Sequence, residues 1–122
     1  MKPTKLSWIP ALLLGALAAC SSSTVPHEKM AASEGSIRAA EEVGARSVPT
    51  AALHLQLAKE QTEQARVLIA AGHNDRARYV LMRAQSDAEL AITLSKENAA
   101  KVDAEQAMEQ VRALQTGKSV TP

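Results

Sequence analysis

The stretch TAALHLQLAKEQTEQARVLIAAGHNDRARYVLMRAQSDAELAITLS, residues 50–95, decides the fold. In its first half Ala51, Leu55, Ala58, Thr62, Ala65 and Ile69 recur at three- and four-residue spacings, the pattern of one helical face. In its second half Ala77, Leu81, Ala84, Ala88, Ile92 and Ser95 repeat that spacing, and Ala99 continues it. Between the halves stands Gly72-His73-Asn74-Asp75. Gly72 suits the left-handed conformation that ends a helix, Asn74 is a capping residue for the next one, and Asp75 favours its positive N-terminal end. Two apolar stripes joined by so short a turn predict an antiparallel helical hairpin.

Reading outward, Leu53, Leu57 and Leu68 lie off the stripe, so the helix over about Thr50–Ala71 is expected to touch two neighbours. Before it, Ser47-Val48-Pro49-Thr50 is a break in which Ser or Thr caps and proline enters the first turn. A short first helix over about Met30–Val43 carries Ala32, Ile37, Ala40 and Val43, is weakened by Gly35 and Ser36, and stops at Gly44. After the turn there is neither Pro nor Gly from Asp75 to Gln115. The third helix is therefore about 40 residues or 60 Å long, against about 22 residues or 33 Å for the second. The excess carries Ala100, Ala104, Ala107, Val111 and Leu114, read as the same pattern on a slightly rotated face. With the first helix doubling back along the second, these residues and Met108 lack an intramolecular partner. Residues 98–116 are expected to fray or to pair with another chain, as self-association or with an envelope protein. The expected fold is all-α: a short first helix, an antiparallel hairpin and a long C-terminal helix. Leu68, Gly72, Ala77, Leu81 and Ala84 match the spacings of a single tetratricopeptide-like turn, but an array needs about three copies and no second copy is present.

The 122 residues suffice for one domain. Lys and Arg number 14 against 13 Asp and Glu, a net charge of +1 that argues against electrostatic capture of nucleic acid. Phe is absent, and Trp8 and Tyr79 are the only large aromatics, so stacking platforms for single strands are excluded. Alanine dominates the apolar fraction; it is the best helix former but buries little surface.

Residues 1–20, MKPTKLSWIPALLLGALAAC, read as an address. Lys2 and Lys5 precede an apolar run of about 12 residues, too short for the roughly 20 that span a bilayer. Leu17-Ala18-Ala19-Cys20 resembles a bacterial lipobox, in which small residues admit the peptidase and the thiol is the nucleophile for diacylglyceryl transfer. Residues 1–19 are then a lipoprotein signal peptide, and Cys20, the sole cysteine, becomes the lipidated first residue. Several acyl chains, at about 0.8 kcal/mol per buried methylene, hold a protein on a membrane where one chain does not. Ser21 follows the cysteine where aspartate commonly retains lipoproteins in the inner membrane. The expected location is thus the outer membrane, periplasmic face. Residues 20–29 form the lipidated tether, 30–116 the helical domain and 117–122 a tail.

Catalytic chemistry is not expected. His27, His54 and His73 never fall at helical spacing to one another and read as a tether, a helix-surface and a turn histidine, so no metal site is assigned, and no cofactor beyond the lipid on Cys20. Glu60 with Glu63 and Glu105 with Glu109 read as solvated helix surface. Gly117-Lys118-Ser119 lacks the earlier glycine of a phosphate loop, since Arg112 stands there. Arg66, Arg76, Arg78 and Arg83 surround the turn and are candidate contacts for phosphates of lipopolysaccharide or carboxylates of peptidoglycan.

Residues 32–91 also resemble a family of bacterial lipoproteins known only as domain of unknown function 4398. The matching features are Gly44-Ala45, Pro49, LQLAK at Leu55–Lys59, Ala65-Arg66, Ala71-Gly72, Ala77, Arg83-Ala84 and Asp87-Ala88-Glu89-Leu90-Ala91. The resemblance implies a helical domain behind a lipobox. The expected role is a membrane-anchored, non-catalytic scaffold or interaction module of the cell envelope. The alternative is a cell-wall or lipopolysaccharide binder using the Arg-rich turn.

Overall fold

The computed structural model describes residues 23–118. Residues 1–22 and 119–122 lie outside it, so the signal, cleavage and lipidation assignments at Leu17, Ala18, Ala19 and Cys20 are sequence readings. The described chain folds as α1 (His27–Glu42), a 3₁₀ turn (Ala45–Ser47), α2 (Pro49–Ala70) and α3 (Asn74–Lys118). No strand occurs among the described residues, and the all-α class with a long last helix is what the stripes predict.

Glycine closes both of the first two helices. Gly44 and Gly72 have φ of 79° and 76°, the left-handed region that other residues enter at about 1–2 kcal/mol. At Gly72 the N–H of His73 donates to Leu68 O (2.8 Å) and that of Gly72 to Ile69 O (2.9 Å), the paired bonds of a Schellman stop. The starts differ from expectation. Neither Ser47 nor Thr50 caps α2: Val48 occupies the extended cap position, with Pro49 in the first turn and no side-chain cap. Asn74 does not cap α3 either. The Ala77 N–H bonds to His73 O, and Asn74 Nδ2 instead donates to Ser23 O at 2.6 Å, fastening the chain before α1 to the turn. The α3 helix also runs through Gly117 to Lys118, where a tail was expected. One glycine costs about 1 kcal/mol, and Thr116 Oγ1 donates to the carbonyls of Arg112 and Ala113 just before it.

α1 runs antiparallel to α2 and parallel to α3, and its two ends meet different parts of the hairpin. Near the turn Met30 packs on Ala65, Ala77 and Leu81. At the far end Ala40 and Ile37 meet Ala45, Ala51, Leu55 and Ala91. The core is alanine: Leu81 is its largest fully buried side chain. One buried polar pair crosses it, Ser33 Oγ to Thr62 Oγ1 at 2.7 Å. Thr62 donates its only proton to Ala58 O (2.9 Å), so Ser33 is the donor in the pair.

Two glycines give opposite outcomes on substitution. Gly35 sits within α1 with open space where an added methyl would go, so Gly35→Ala is expected to stabilise by about 0.5–1 kcal/mol. Gly44→Ala, forced to positive φ, is expected to destabilise by about 1–2 kcal/mol; urea midpoints of the two variants check both signs. In the polar pair, Thr62→Val strands the Ser33 hydroxyl and is expected to cost about 1–3 kcal/mol, whereas adding Ser33→Ala recovers most of it. A double-mutant cycle by thermal denaturation reads that coupling.

Candidate interaction surfaces

Small side chains let α2 and α3 approach closely along Ala77, Leu81, Ala84, Ala88, Ala91 and Ser95, all buried. Ala91 takes a place the stripe assigned to Ile92, which is half-buried, and Ala99 is already exposed because α2 has ended beside it. From Lys96 to Gly117 every side chain is exposed. The helix lengths explain this: 45 residues make α3 about 67 Å long, against about 33 Å for the 22 of α2. α1 lies beside the packed half and covers none of the excess.

The apolar residues of that excess do not lie on a slightly rotated face. Ala100, Ala104, Ala107, Val111 and Leu114 alternate four- and three-residue steps, the 3.5-residue repeat of a coiled-coil seam. At about 100° per residue, the single-residue step from Ala99 to Ala100 starts this seam more than a quarter-turn from the packed stripe. The seam residues stay about 60–140° round from Ala99 on that side, whereas Ser95 and Ala91 lie about 40° and 80° the other way, so the seam falls on the side of α3 directed away from α2. Val111 and Leu114 are 53% and 72% exposed, and Met108 beside them 64%. The outward side of the packed half is apolar as well: Tyr79, Met82 and Leu90 are exposed there and, with Arg83, Ser86 and Asp87, line an open groove.

The four arginines singled out in the sequence do not form one cluster. Arg66 bridges α1 and α2, bonding Glu34 at 2.7 Å and Glu63 at 2.8 Å, and these bonds push its pKa above the ordinary value. Arg78 pairs with Asp75 at 2.7 Å and lies 5.9 Å from the centroid of the Tyr79 ring. Arg76 and Arg83 have no ion-pair partner among the described residues. Seven residues apart, they share one flank of α3, while Arg78 falls on the opposite flank.

Polar contacts that the spacing could not reveal fix how the helices sit together. Asp87 on α3 receives His54 Nδ1 at 2.9 Å and Gln61 Nε2 at 2.7 Å, both from α2. His54 is thus a half-buried cross-link, where the sequence suggested a surface histidine. A carboxylate orienting an imidazole is half of an acid–base relay. The neighbouring hydroxyl, however, belongs to Ser86, which is exposed on α3 and donates to Met82 O at 3.1 Å. The arrangement cross-links α2 and α3. Glu41 on α1 gathers Lys59 of α2 and Arg46 of the 3₁₀ turn. Of the carboxylate pairs, Glu60 accepts from Gln56, Glu63 binds Arg66 and Glu109 binds Arg112. Among the described residues no group of three His, Cys, Asp or Glu is placed to hold a metal ion.

The sequence profile of the family described as Domain of unknown function (DUF4398) matches residues 28–107, well over half of the chain. No curated protein and no solved structure matches it. The chain belongs to that family. The matched region extends past the packed bundle to Ala107, so the family's domain includes the first half of the unpartnered seam.

The Glu41 cluster makes a pH prediction. Hydrogen bonds from Lys59 and then Arg46 hold the Glu41 carboxyl down at about 2, from an ordinary 4.5. A carboxyl with a lowered folded pKa stabilises the fold fully above its unfolded pKa and loses that contribution as the pH falls through the folded one. Stability is therefore expected to drop between pH 4.5 and about 2, and Glu41→Gln to flatten that part of the profile. Thermal denaturation across the range measures it.

Proposed function

We propose that this member of the domain of unknown function 4398 family is a lipid-anchored, non-catalytic helical scaffold of the bacterial cell envelope. The anchor is the lipid on Cys20, and the location is the outer membrane with the domain on the periplasmic face. The observation that carries the scaffold reading is the α3 excess: from Lys96 to Gly117 the helix is exposed, and its seam of Ala100, Ala104, Ala107, Val111 and Leu114 has no partner among the described residues. A helix of this length gains little from isolation, because helix stability in proteins comes chiefly from packing one apolar face. The seam's period is the one that pairs helices, which supports self-association or docking of an envelope protein along residues 98–116. No helix of the described residues is long and apolar enough to cross a membrane, and the lipobox residues Leu17-Ala18-Ala19-Cys20 supply an attachment that needs none.

The alternative, cell-wall or lipopolysaccharide binding through Arg66, Arg76, Arg78 and Arg83, has weaker support. Two of the four guanidiniums are already paired with carboxylates, and the set is spread over different faces.

The test has two parts. Cys20→Ser is expected to abolish palmitate incorporation and to move the protein from the envelope to the soluble fraction. Val111→Asp, which leaves the packed bundle untouched, is expected to reduce the crosslinked species from intact envelopes by more than tenfold, since an unpaired charge in a helix seam is costly. Retention in the envelope without Cys20 would overturn the anchor, and crosslinking unaffected by Val111→Asp would overturn the seam. Co-sedimentation with purified murein that is lost when all four arginines become Gln would favour the alternative.

A further inference from the structure

The hydrogen bond from Asn74 Nδ2 to Ser23 O ties the first described residue to the hairpin turn. This fixes where the chain upstream must come from. Three peptide steps separate Ser23 from Cys20, a reach of at most about 10 Å. Whatever surface holds Cys20 therefore lies within about 10 Å of the end of the bundle formed by Ser23, the start of α1 and the turn at residues 71–74.

That end has the composition of a surface that meets lipid. An apolar groove of about 300 Å³ opens there between Val25 and Met30 on one side and Ile69 and Ala70 on the other, with His27 and Arg66 at its rim. Val25 is 38% exposed, outside any core cluster. Lys29 and Arg76, in the first turns of α1 and α3, have no ion-pair partner among the described residues. Both helices start at this end, and helical side chains lean toward their own N-terminus, so both cations lean toward the same surface. The other charges nearby are Glu28, the Asp75–Arg78 pair and the Glu34–Arg66–Glu63 set. The Asp75–Arg78 pair cancels, whereas the Glu34–Arg66–Glu63 set keeps one negative charge. Its carboxylates sit deeper, Glu34 five residues past Lys29 and Glu63 seven before Ala70, at least about 7 Å along their helices, which leaves Lys29 and Arg76 against Glu28 in the first turns.

We propose that this end of the bundle is a docking face for the bilayer leaflet that holds the acyl chains of Cys20. The apolar groove meets the interfacial region, and Lys29 and Arg76 meet anionic phosphates. The inference rests on the lipid-anchor reading and adds an orientation to it. α3 stands away from the membrane, and the seam at 100–114 is held at its far end. From Asn74 to Gln110 is 36 residues, about 54 Å of helix, so the seam is offered to partners well beyond the headgroups. The tether reach of about 10 Å is close to the Debye length of about 8 Å at physiological salt, so the cations remain within range of the phosphates.

Because Cys20 is the only cysteine, an introduced one is the sole free thiol of the lipidated protein. Ala71→Cys and Gln110→Cys, both at exposed positions, carry a fluorescent donor in vesicles of phosphatidylcholine with phosphatidylglycerol, with acceptors in the headgroup layer. The donor at 71 is expected next to the headgroups and the donor at 110 about 50 Å farther out; equal distances, or the reverse order, overturn the orientation. Lys29→Glu with Arg76→Glu is expected to lift the 71 donor from these vesicles, and so is raised salt. No response to either overturns the phosphate contact.

Palmitate labelling of the same samples reports the anchor separately. If Cys20 takes up no lipid, the anchor reading fails, and the Cys20→Ser chain still tests the face. That chain is expected to prefer phosphatidylglycerol vesicles over pure phosphatidylcholine by about fivefold, because Lys29 and Arg76 less Glu28 leave one net positive charge in the first turns. Equal partitioning, or sedimentation with murein but not with vesicles, overturns the docking face.

Discussion

Everything in this molecule follows from close approach of helices through alanine. Nine of the eleven buried apolar residues among those described are alanines, and the other two are Leu55 and Leu81. Such contacts bring backbones together but remove little apolar surface from water, at about 0.8 kcal/mol for each carbon buried. The core alone is therefore a modest source of stability. Good helix propensity along most of the chain supplies a share, because alanine loses no side-chain freedom in a helix.

A smooth alanine surface also specifies little about register, since one small residue fits much like the next. The polar groups between the helices supply what the alanines do not. Ser33 with Thr62, Glu41 with Lys59, and His54 and Gln61 with Asp87 each connect a different pair of points, and sliding any helix by one turn breaks them. Asn74 with Ser23 does the same for the chain entering α1. The half-buried position of several of these groups strengthens them relative to surface pairs such as Glu97 with Lys101, which lies in full solvent.

The bundle ends near Ser95 because α2 has only 22 residues, and past that point α3 has nothing to lean on. The molecule thus has two unlike ends. One is a closed turn where the start of α1, the end of α2 and the start of α3 converge with an apolar groove and two unpaired cations. The other is a bare helix whose apolar seam looks away from its own hairpin. This polarity suits a protein fixed at one end and engaged at the other.

Helix class, the breaks at Gly44, Pro49 and Gly72, and the excess length of α3 were all legible from the residues alone. Each is a local matter of periodicity, backbone freedom or a missing N–H. The family was legible too, from short Ala- and Gly-containing segments in order. The sides of the helices were harder to read. By spacing alone Ala100 passes for a near-continuation of Ala99, although one residue turns the helix by about 100°, and Ala91 falls outside the core. By residue type alone Asn74 is a cap and His54 a surface group. Capping preference is a local average, and it yields when a side chain finds a partner 51 residues away, as Asn74 does in Ser23. The pairing of His54 with Asp87 depends on the hairpin register, which small, interchangeable alanines do not encode. By itself, then, the sequence determined which segments are helical, where they stop and how long they run, because those are properties of neighbours along the chain. Only the tertiary structure decided which faces meet, which polar groups lock them and which apolar seam is left outside, because those depend on how separate helices are rotated against one another.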